Sequence, residues 1–309
     1  MISRAALATV LTALVVLPSI GCASGADDAD TTEGSVDEVK TDAGPILAIG
    51  DSVTFGWDPF IETDIKKVDE KDHAGYAEVL GQRSKSQVHN TSCPGEGTGS
   101  FFDKTAPDNG CRVNRRAFGT HLAWKDGGRS FDTQMDFVEA YLKKNKPRFI
   151  TLTLGGNDLG ILQKECNDEM ICIAAKLLGV INKVGTNLTE IFERIDAAGY
   201  KGQIAVFTQY SPKYGDLKND VAIGGLGIKI RDFVKDEQRR HPNLGVVTVD
   251  AYEGFQKVAE AHGGDTCKTG LLIPTPDGKA CDIHPTPKGD KLLADLVEAA
   301  LERGRPTKK

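Results

Sequence analysis

From Pro45 onward the chain alternates short runs of β-forming residues with longer stretches of helical period, and this alternation restricts the fold more than any other feature. The apolar runs predict strands at 46–50, 87–91, 149–154, 203–208 and 245–250. Helical patterns lie at 74–83, 131–144, 173–198, 228–240, 252–262 and 287–303. In the second of these, Phe131, Met135, Val138 and Leu142 recur at steps of three and four, and Pro147 separates them from the next strand. Thr286-Pro287 opens the last helix with a capping residue and a proline suited to a first turn. Strands joined through helices predict a five-stranded parallel sheet covered on both faces, an α/β/α sandwich. Residues 45–309 have the length of one such domain and show no internal repeat.

The N-terminal residues read differently. Arg4 is followed by an uncharged, Ala-, Leu- and Val-rich run, 5–21, with the length of a signal-peptide core and shorter than the ~20 apolar residues that span a bilayer. Residues 1–21 are therefore expected to be a signal peptide, and no other segment reads as long and apolar enough to cross a membrane. The run ends in "LPSIGCAS", where Gly21-Cys22 resembles a bacterial lipoprotein cleavage site, with Ser19 where a Leu is usual. On that reading Cys22 carries lipid and anchors the protein to the cell envelope. Cleavage after Ala23 instead gives a freely secreted protein. Residues 22–44 carry Asp27, Asp28, Asp30, Glu33, Asp37, Glu38 and Asp42 against Lys40, with almost nothing large and apolar. Such a segment buries too little to offset its ordering entropy and reads as a disordered acidic tether. Without these acids, the 38 basic and 44 acidic residues of the chain come close to balance, so no nucleic-acid surface is expected. Membrane contact is expected through the anchor alone, and the protein is expected to be a monomer.

Of seven cysteines, Cys22 is removed by lipidation or cleavage, leaving six in an exported chain. They fall into three local groups, which favours the sequential pairs Cys93–Cys111, Cys166–Cys172 and Cys267–Cys281. No Cys-x-x-Cys is present and no cysteine stands at zinc spacing from a pair of histidines, so no metal site is expected.

Ligands bind beyond the carboxyl ends of strands in open α/β sheets, so the residues there form one set. Gly50-Asp51-Ser52 follows the first strand, "SCPGEGTG" (92–99) the second and "LGGNDLG" (154–160) the third, while "CDIHPTPKG" (281–289) precedes the last helix. Together they supply a serine, a Gly-rich loop, an asparagine and a histidine. Ser52 needs a base to become nucleophilic, and His284 can take and return its proton. The tetrahedral oxyanion needs fixed donors, which the backbone N–H groups of Ser52 and Gly95 and the side-chain amide of Asn157 could provide.

In these blocks the chain resembles the SGNH hydrolases, also called GDSL-type esterases and lipases. Gly50, Asp51 and Ser52 match their first block, with Val53 for the usual Leu. Gly95 best matches the oxyanion glycine of the second, Gly155-Gly156-Asn157-Asp158 the Gly-x-Asn-Asp of the third, and His284 with Pro285 the last. The resemblance spans residues 45–309 in order. It implies a flavodoxin-like, metal-free hydrolase without a cofactor. One position departs: the Asp expected three residues before the histidine is Cys281, with Asp282 two before it. In an extended segment Asp282 would face the same side as His284, so either Asp282 or a main-chain carbonyl orients the imidazole.

Singly, each motif has a plainer reading. Gly-Asp-Ser can punctuate a strand end, Gly-Gly-Asn-Asp can be a turn, and Glu96 reads as a loop residue. Jointly they predict an exported serine ester hydrolase, an esterase or lipase. The alternatives are a catalytically degenerate surface-binding lipoprotein and an acyltransferase using the same residues. Lipids, small esters and acetylated polysaccharides are all candidate substrates, with acyl size set by the loops 95–130, 158–172, 209–220 and 263–282.

Overall fold

A computed structural model of the chain describes residues 44–61, 72–118, 125–126 and 129–304. The expected signal peptide, Cys22 and nearly all of the acidic tether lie outside these residues. Five strands form the central sheet: β1 (Ile46–Gly50), β2 (Val88–Asn90), β5 (Phe149–Thr153), β6 (Gln203–Phe207) and β7 (Gly245–Val249). Two-residue strands β3 (Lys125–Asp126) and β4 (Arg129–Ser130) pair separately, as do β8 (Leu272–Pro274) and β9 (Cys281–Pro285). The main sheet is wholly parallel in the order β2-β1-β5-β6-β7. Counted within the sheet alone this is 2-1-3-4-5, the flavodoxin-like order.

Side-chain alternation sorts the strands into two apolar layers. Leu47, Ile49, Ile150, Leu152, Ile204, Val206 and Val246 point to one face, and Ile46, Ala48, Phe149, Ala205, Phe207, Val247 and Val249 to the other. The first face is covered by α4 (Gln134–Lys144), α6 (Met170–Ala197) and α8 (Gly225–Arg240). The second is covered by α2 (Tyr76–Ser84), α9 (Ala251–Glu260) and α10 (Pro287–Arg303). Helix α6 lays Ile173, Leu177, Ile181, Val184, Leu188, Ile191 and Ile195 into the core at steps of three and four, each contributing about 1.5–3 kcal/mol by burial. Its 28 residues are long and apolar enough for a membrane span by composition, contrary to the sequence reading. The core-facing stripe supplies only part of that hydropathy, since 33% of the apolar stretch is buried and Ile171 and Leu178 are exposed.

Four α-helices among the described residues were not expected. They are the one-turn α1 (Ser52–Phe55), α3 (Cys111–Phe118) in the long loop after β2, the three-residue α7 (Leu217–Asn219) in the loop 209–220, and α5 (Gly156–Glu165). The last replaces most of the anticipated loop 158–172. Gly155, at φ +110°, occupies its N-cap position, so "GGND" begins a helix where a turn was the plainer reading. Helix α4 starts three residues later than expected because Thr133 caps it, accepting from the Asp136 N–H at 3.1 Å. Thr286 caps α10 as anticipated, with Pro287 in the first turn.

The cysteines pair in sequence: Cys93 with Cys111, Cys166 with Cys172 and Cys267 with Cys281, each with Cα atoms 5.5 Å apart. Cys93–Cys111 closes the loop that carries Gly95, Cys166–Cys172 joins the end of α5 to the start of α6, and Cys267–Cys281 closes the segment that leads into β9.

Candidate active site

Strand β1 delivers the nucleophile candidate. Gly50 ends the strand, Asp51 caps α1, and Ser52 is the first helical residue. The Asp51 carboxylate accepts from the Val53 N–H (3.1 Å) and the Thr153 hydroxyl (2.9 Å), so it braces the turn. Beyond it, hydroxyls join Thr153 to Thr54 (2.6 Å), Thr54 to Tyr76 (2.8 Å) and Tyr76 to Thr151 (3.1 Å). Burial pushes the Asp51 carboxyl up to about 6, the Thr153 and Val53 hydrogen bonds opposing the shift. Ser52 Oγ makes no hydrogen bond among the described residues, and Ser52 is 9% exposed.

The second strand leads into a tight turn. Glu96 donates its N–H to the Cys93 carbonyl at 3.0 Å, and Gly95 sits at φ +88° after Pro94. This is the Pro-Gly arrangement of a type II turn, whose third position favours glycine. Among the described residues no acceptor engages the Gly95 N–H. The Cys93 N–H binds the Gly50 carbonyl at 2.9 Å, tying this loop to the nucleophile turn.

Asn157 lies in the first turn of α5, directly against that loop. Its Nδ2 donates to the Glu96 carbonyl (3.0 Å), and its Oδ1 accepts from Asn109 Nδ2 (2.9 Å). The amide orientation is thus fixed at both ends, leaving one Nδ2 hydrogen to point elsewhere. Asp158 accepts from the N–H (2.9 Å) and hydroxyl (2.6 Å) of Thr98, which clamps the far side of the Gly-rich loop. Burial raises its carboxyl above the ordinary value.

His284 stands on β9, a ribbon outside the main sheet. Pairing with β8 and the Cys267–Cys281 disulfide hold this ribbon. The Tyr210 hydroxyl donates to the Ile283 carbonyl at 2.7 Å, with its ring stacked on Phe255. Asp282 faces the same side as His284: its Oδ1 meets imidazole Nδ1 and also accepts the His284 backbone N–H at 3.0 Å. Burial pushes the Asp282 carboxyl up, but the His284 hydrogen bond and charge and the backbone donors outweigh it and leave it below the ordinary value. At the opposite edge of the ring, Nε2 is buried without a partner among the described residues. The ribbon packs on α1, and the imidazole acts electrostatically on Asp51, the residue preceding Ser52.

All the sequence-predicted site residues, Ser52, Gly95, Asn157, Asp282 and His284, therefore converge at the carboxyl rim of one sheet. A profile of the GDSL-like lipase/acylhydrolase family matches residues 48–292, which include every one of them. The chain belongs to that family. It is a GDSL hydrolase, and the sheet order and flanking helices are those of an SGNH-type α/β fold. Protein YXIM from Bacillus subtilis is similar at 16% identity and a TM-score of 0.50, over 84% of this chain and 56% of that one. A lipolytic protein of the G-D-S-L family from Veillonella parvula aligns at 14% identity and TM-score 0.48, over 84% of this chain and all of the other. The lipase Lip_vut3 from a goat rumen metagenome aligns at 18% identity and TM-score 0.48, over 84% and 97% of the two chains. At such identities the likeness concerns the fold. A search of curated proteins finds no match.

The hydrolase also contains residues that the motifs did not reveal. Asn109 holds Asn157 through its side chain, and its backbone N–H donates to the Gly95 carbonyl at 2.8 Å. It thereby touches both residues outside α1 that are candidate oxyanion donors, Gly95 and Asn157. Gln134 pairs with both backbone groups of Gly50, accepting its N–H (2.8 Å) and donating to its carbonyl (3.0 Å). A signal for Gln134 was present: it lies four residues before Val138, a polar residue at the start of the core-facing stripe of α4. Asn109 has no such signature. Cys93, Glu96 and Cys111 are grouped closely enough for a metal, but the two sulfurs are bonded to each other and offer no thiolate.

Replacing Asn109 with Ala should release the Asn157 amide while keeping the backbone bond to Gly95. We expect kcat to fall about 10-fold with KM nearly unchanged, since one oxyanion donor would be disoriented and none removed. Steady-state kinetics on a soluble ester would check this, and a change confined to KM would contradict it.

Proposed function

We propose that this GDSL hydrolase is an exported serine esterase that cleaves carboxylic esters through a Ser52-bound acyl-enzyme. The observation that carries the reading is the His284 ring, held at Nδ1 by Asp282 while Nε2 is buried without a partner beside the Ser52 turn. That arrangement favours the tautomer with the proton on Nδ1 and the basic lone pair on Nε2.

The geometry supports the following steps. Ser52 Oγ attacks the ester carbonyl carbon as Nε2 takes its proton, and the carbonyl π electrons move to oxygen. The oxyanion is met by the N–H groups of Ser52 and Gly95 and the remaining Nδ2 hydrogen of Asn157. Collapse of the intermediate breaks the carbon–oxygen bond, and the alcohol leaves with the Nε2 proton. Water then repeats the sequence on the acyl-enzyme, releasing the carboxylic acid and restoring Ser52. Each oxyanion donor supplies about 3–4 kcal/mol of transition-state stabilisation.

The leader and acidic tether support export, as do six paired cysteines in three short loops. Cys22 would anchor the domain if lipidated. A fluorophosphonate probe should label Ser52 stoichiometrically, as read by peptide mass spectrometry. Absence of label at Ser52 in folded protein would refute the serine mechanism.

A further inference from the structure

Glu96 is a carboxylic acid that the hydrolytic steps do not use, and it is almost completely enclosed, at 1% exposure. Its backbone N–H closes the turn around Gly95, and its carbonyl accepts from Asn157 Nδ2. Its side chain runs the other way, into the protein. Oε1 meets the Ser100 hydroxyl at 2.5 Å, and Oε2 accepts from Gln134 Nε2 at 3.3 Å. Gln134 in turn grips both backbone groups of Gly50, two residues before Ser52. One residue is therefore joined to Gly95 by a peptide bond, to Asn157 by its carbonyl, and to the nucleophile turn through one intervening side chain.

We infer that Glu96 is the positioning residue that holds the oxyanion loop in register with the Ser52 turn. This rests on the serine-esterase reading and adds a residue to it that acts through Gln134 and the Gly95 turn without touching substrate.

The surroundings indicate which form of the carboxyl does this. Oε2 lies 3.4 Å from Cys111 Sγ. A disulfide sulfur has no hydrogen to give, so this contact is a hydrogen bond only when the carboxyl is the donor. The charges that reach Glu96 are Asp108, from the loop before α3, which raises its pKa, and Arg115 on α3, which lowers it. The Arg115 guanidinium donates to the carbonyls of Phe131 and Asp132. From α4 the facing group is the uncharged Gln134. Asp158 on α5 binds Thr98, two residues further along the loop. Burial dominates and pushes the carboxyl up to about 7, against the pull of Ser100 and Gln134. Below that pH the acid is neutral and can donate. Above it, a charge must be held in an enclosed pocket, which strains the contacts that align the loop.

The test compares wild type, Glu96→Gln and Glu96→Ala on p-nitrophenyl butyrate across pH, with thermal melts and fluorophosphonate labelling of each. Glutamine keeps an acceptor and a donor but cannot ionise. Wild-type kcat should fall about 10-fold between about pH 6.5 and 8.5, whereas Glu96→Gln should match wild type within about 3-fold at pH 6 and lose that decline. Glu96→Ala should lower kcat about 50-fold with KM within about 3-fold of wild type, a split that simple loss of stability would not produce. A Glu96→Gln profile superimposed on that of wild type would overturn the proposal, as would full kcat in Glu96→Ala. If Glu96→Ala fails to fold, the Glu96→Gln profile decides. Wild type that is not labelled at Ser52 would instead remove the underlying serine mechanism.

Discussion

Replacing Ser52 with Ala should reduce turnover of short p-nitrophenyl esters by about 10⁴-fold or more, with the melting temperature little changed. The hydroxyl makes no hydrogen bond among the described residues, so its removal orphans no partner in the fold. The turn that presents it is braced by Asp51, Thr153 and Gln134, none of which touches Oγ. The loss should therefore fall on kcat. Activity that remained would come from the oxyanion donors acting on a bound ester and would show no acyl-enzyme burst. Turnover within 10-fold of wild type would refute the assignment.

Replacing Asp282 with Asn should lower kcat by about 10²–10⁴-fold. In the wild type, one carboxylate oxygen receives both the ring Nδ1–H and the backbone N–H of His284. An amide could satisfy both through its oxygen, but it has no charge to stabilise the imidazolium formed during attack. Rotated, it would present N–H to Nδ1 and favour the wrong tautomer. The change also alters acid behaviour. The Asp282 pKa is lowered in the fold, so its stabilising contribution is present above the ordinary carboxylate value near pH 4 and lost as pH falls through the folded value. The variant should lack that acid-side loss in thermal melts. Unchanged kcat would return the orienting role to a main-chain carbonyl.

The parallel sheet and the four chemical blocks were legible because each is written in consecutive residues, whereas the flavodoxin-like arrangement was implied only by the family resemblance. A short continuous apolar run marks a strand buried on both faces, and Gly-Asp-Ser or Gly-Gly-Asn-Asp is readable as a unit. The face of Asp282 was legible as well, since the side-chain period of an extended segment places it with His284, as β9 does. What stayed hidden was set by packing between distant residues. Gln134 meets Gly50 across 84 positions, and Asn109 meets Asn157 across 48. Neither partnership leaves a local pattern. Glu96 carries the sequence signature of a solvated loop acid, and its enclosure depends on α4 and the Cys93–Cys111 bridge closing over it. Helix α5 was masked by its own first residues, which have the composition of a turn.

The three disulfides each close a short segment within one connection, two of them in the connections that carry Gly95 and His284, and none joins one strand of the main sheet to another. Burial of the two apolar layers holds the sandwich, while covalent bonds hold the shape of what projects from it. The protein is therefore built like a tool with a fixed handle and a riveted head. Evolution can recut the head, loop by loop within each closed ring, without renegotiating the handle.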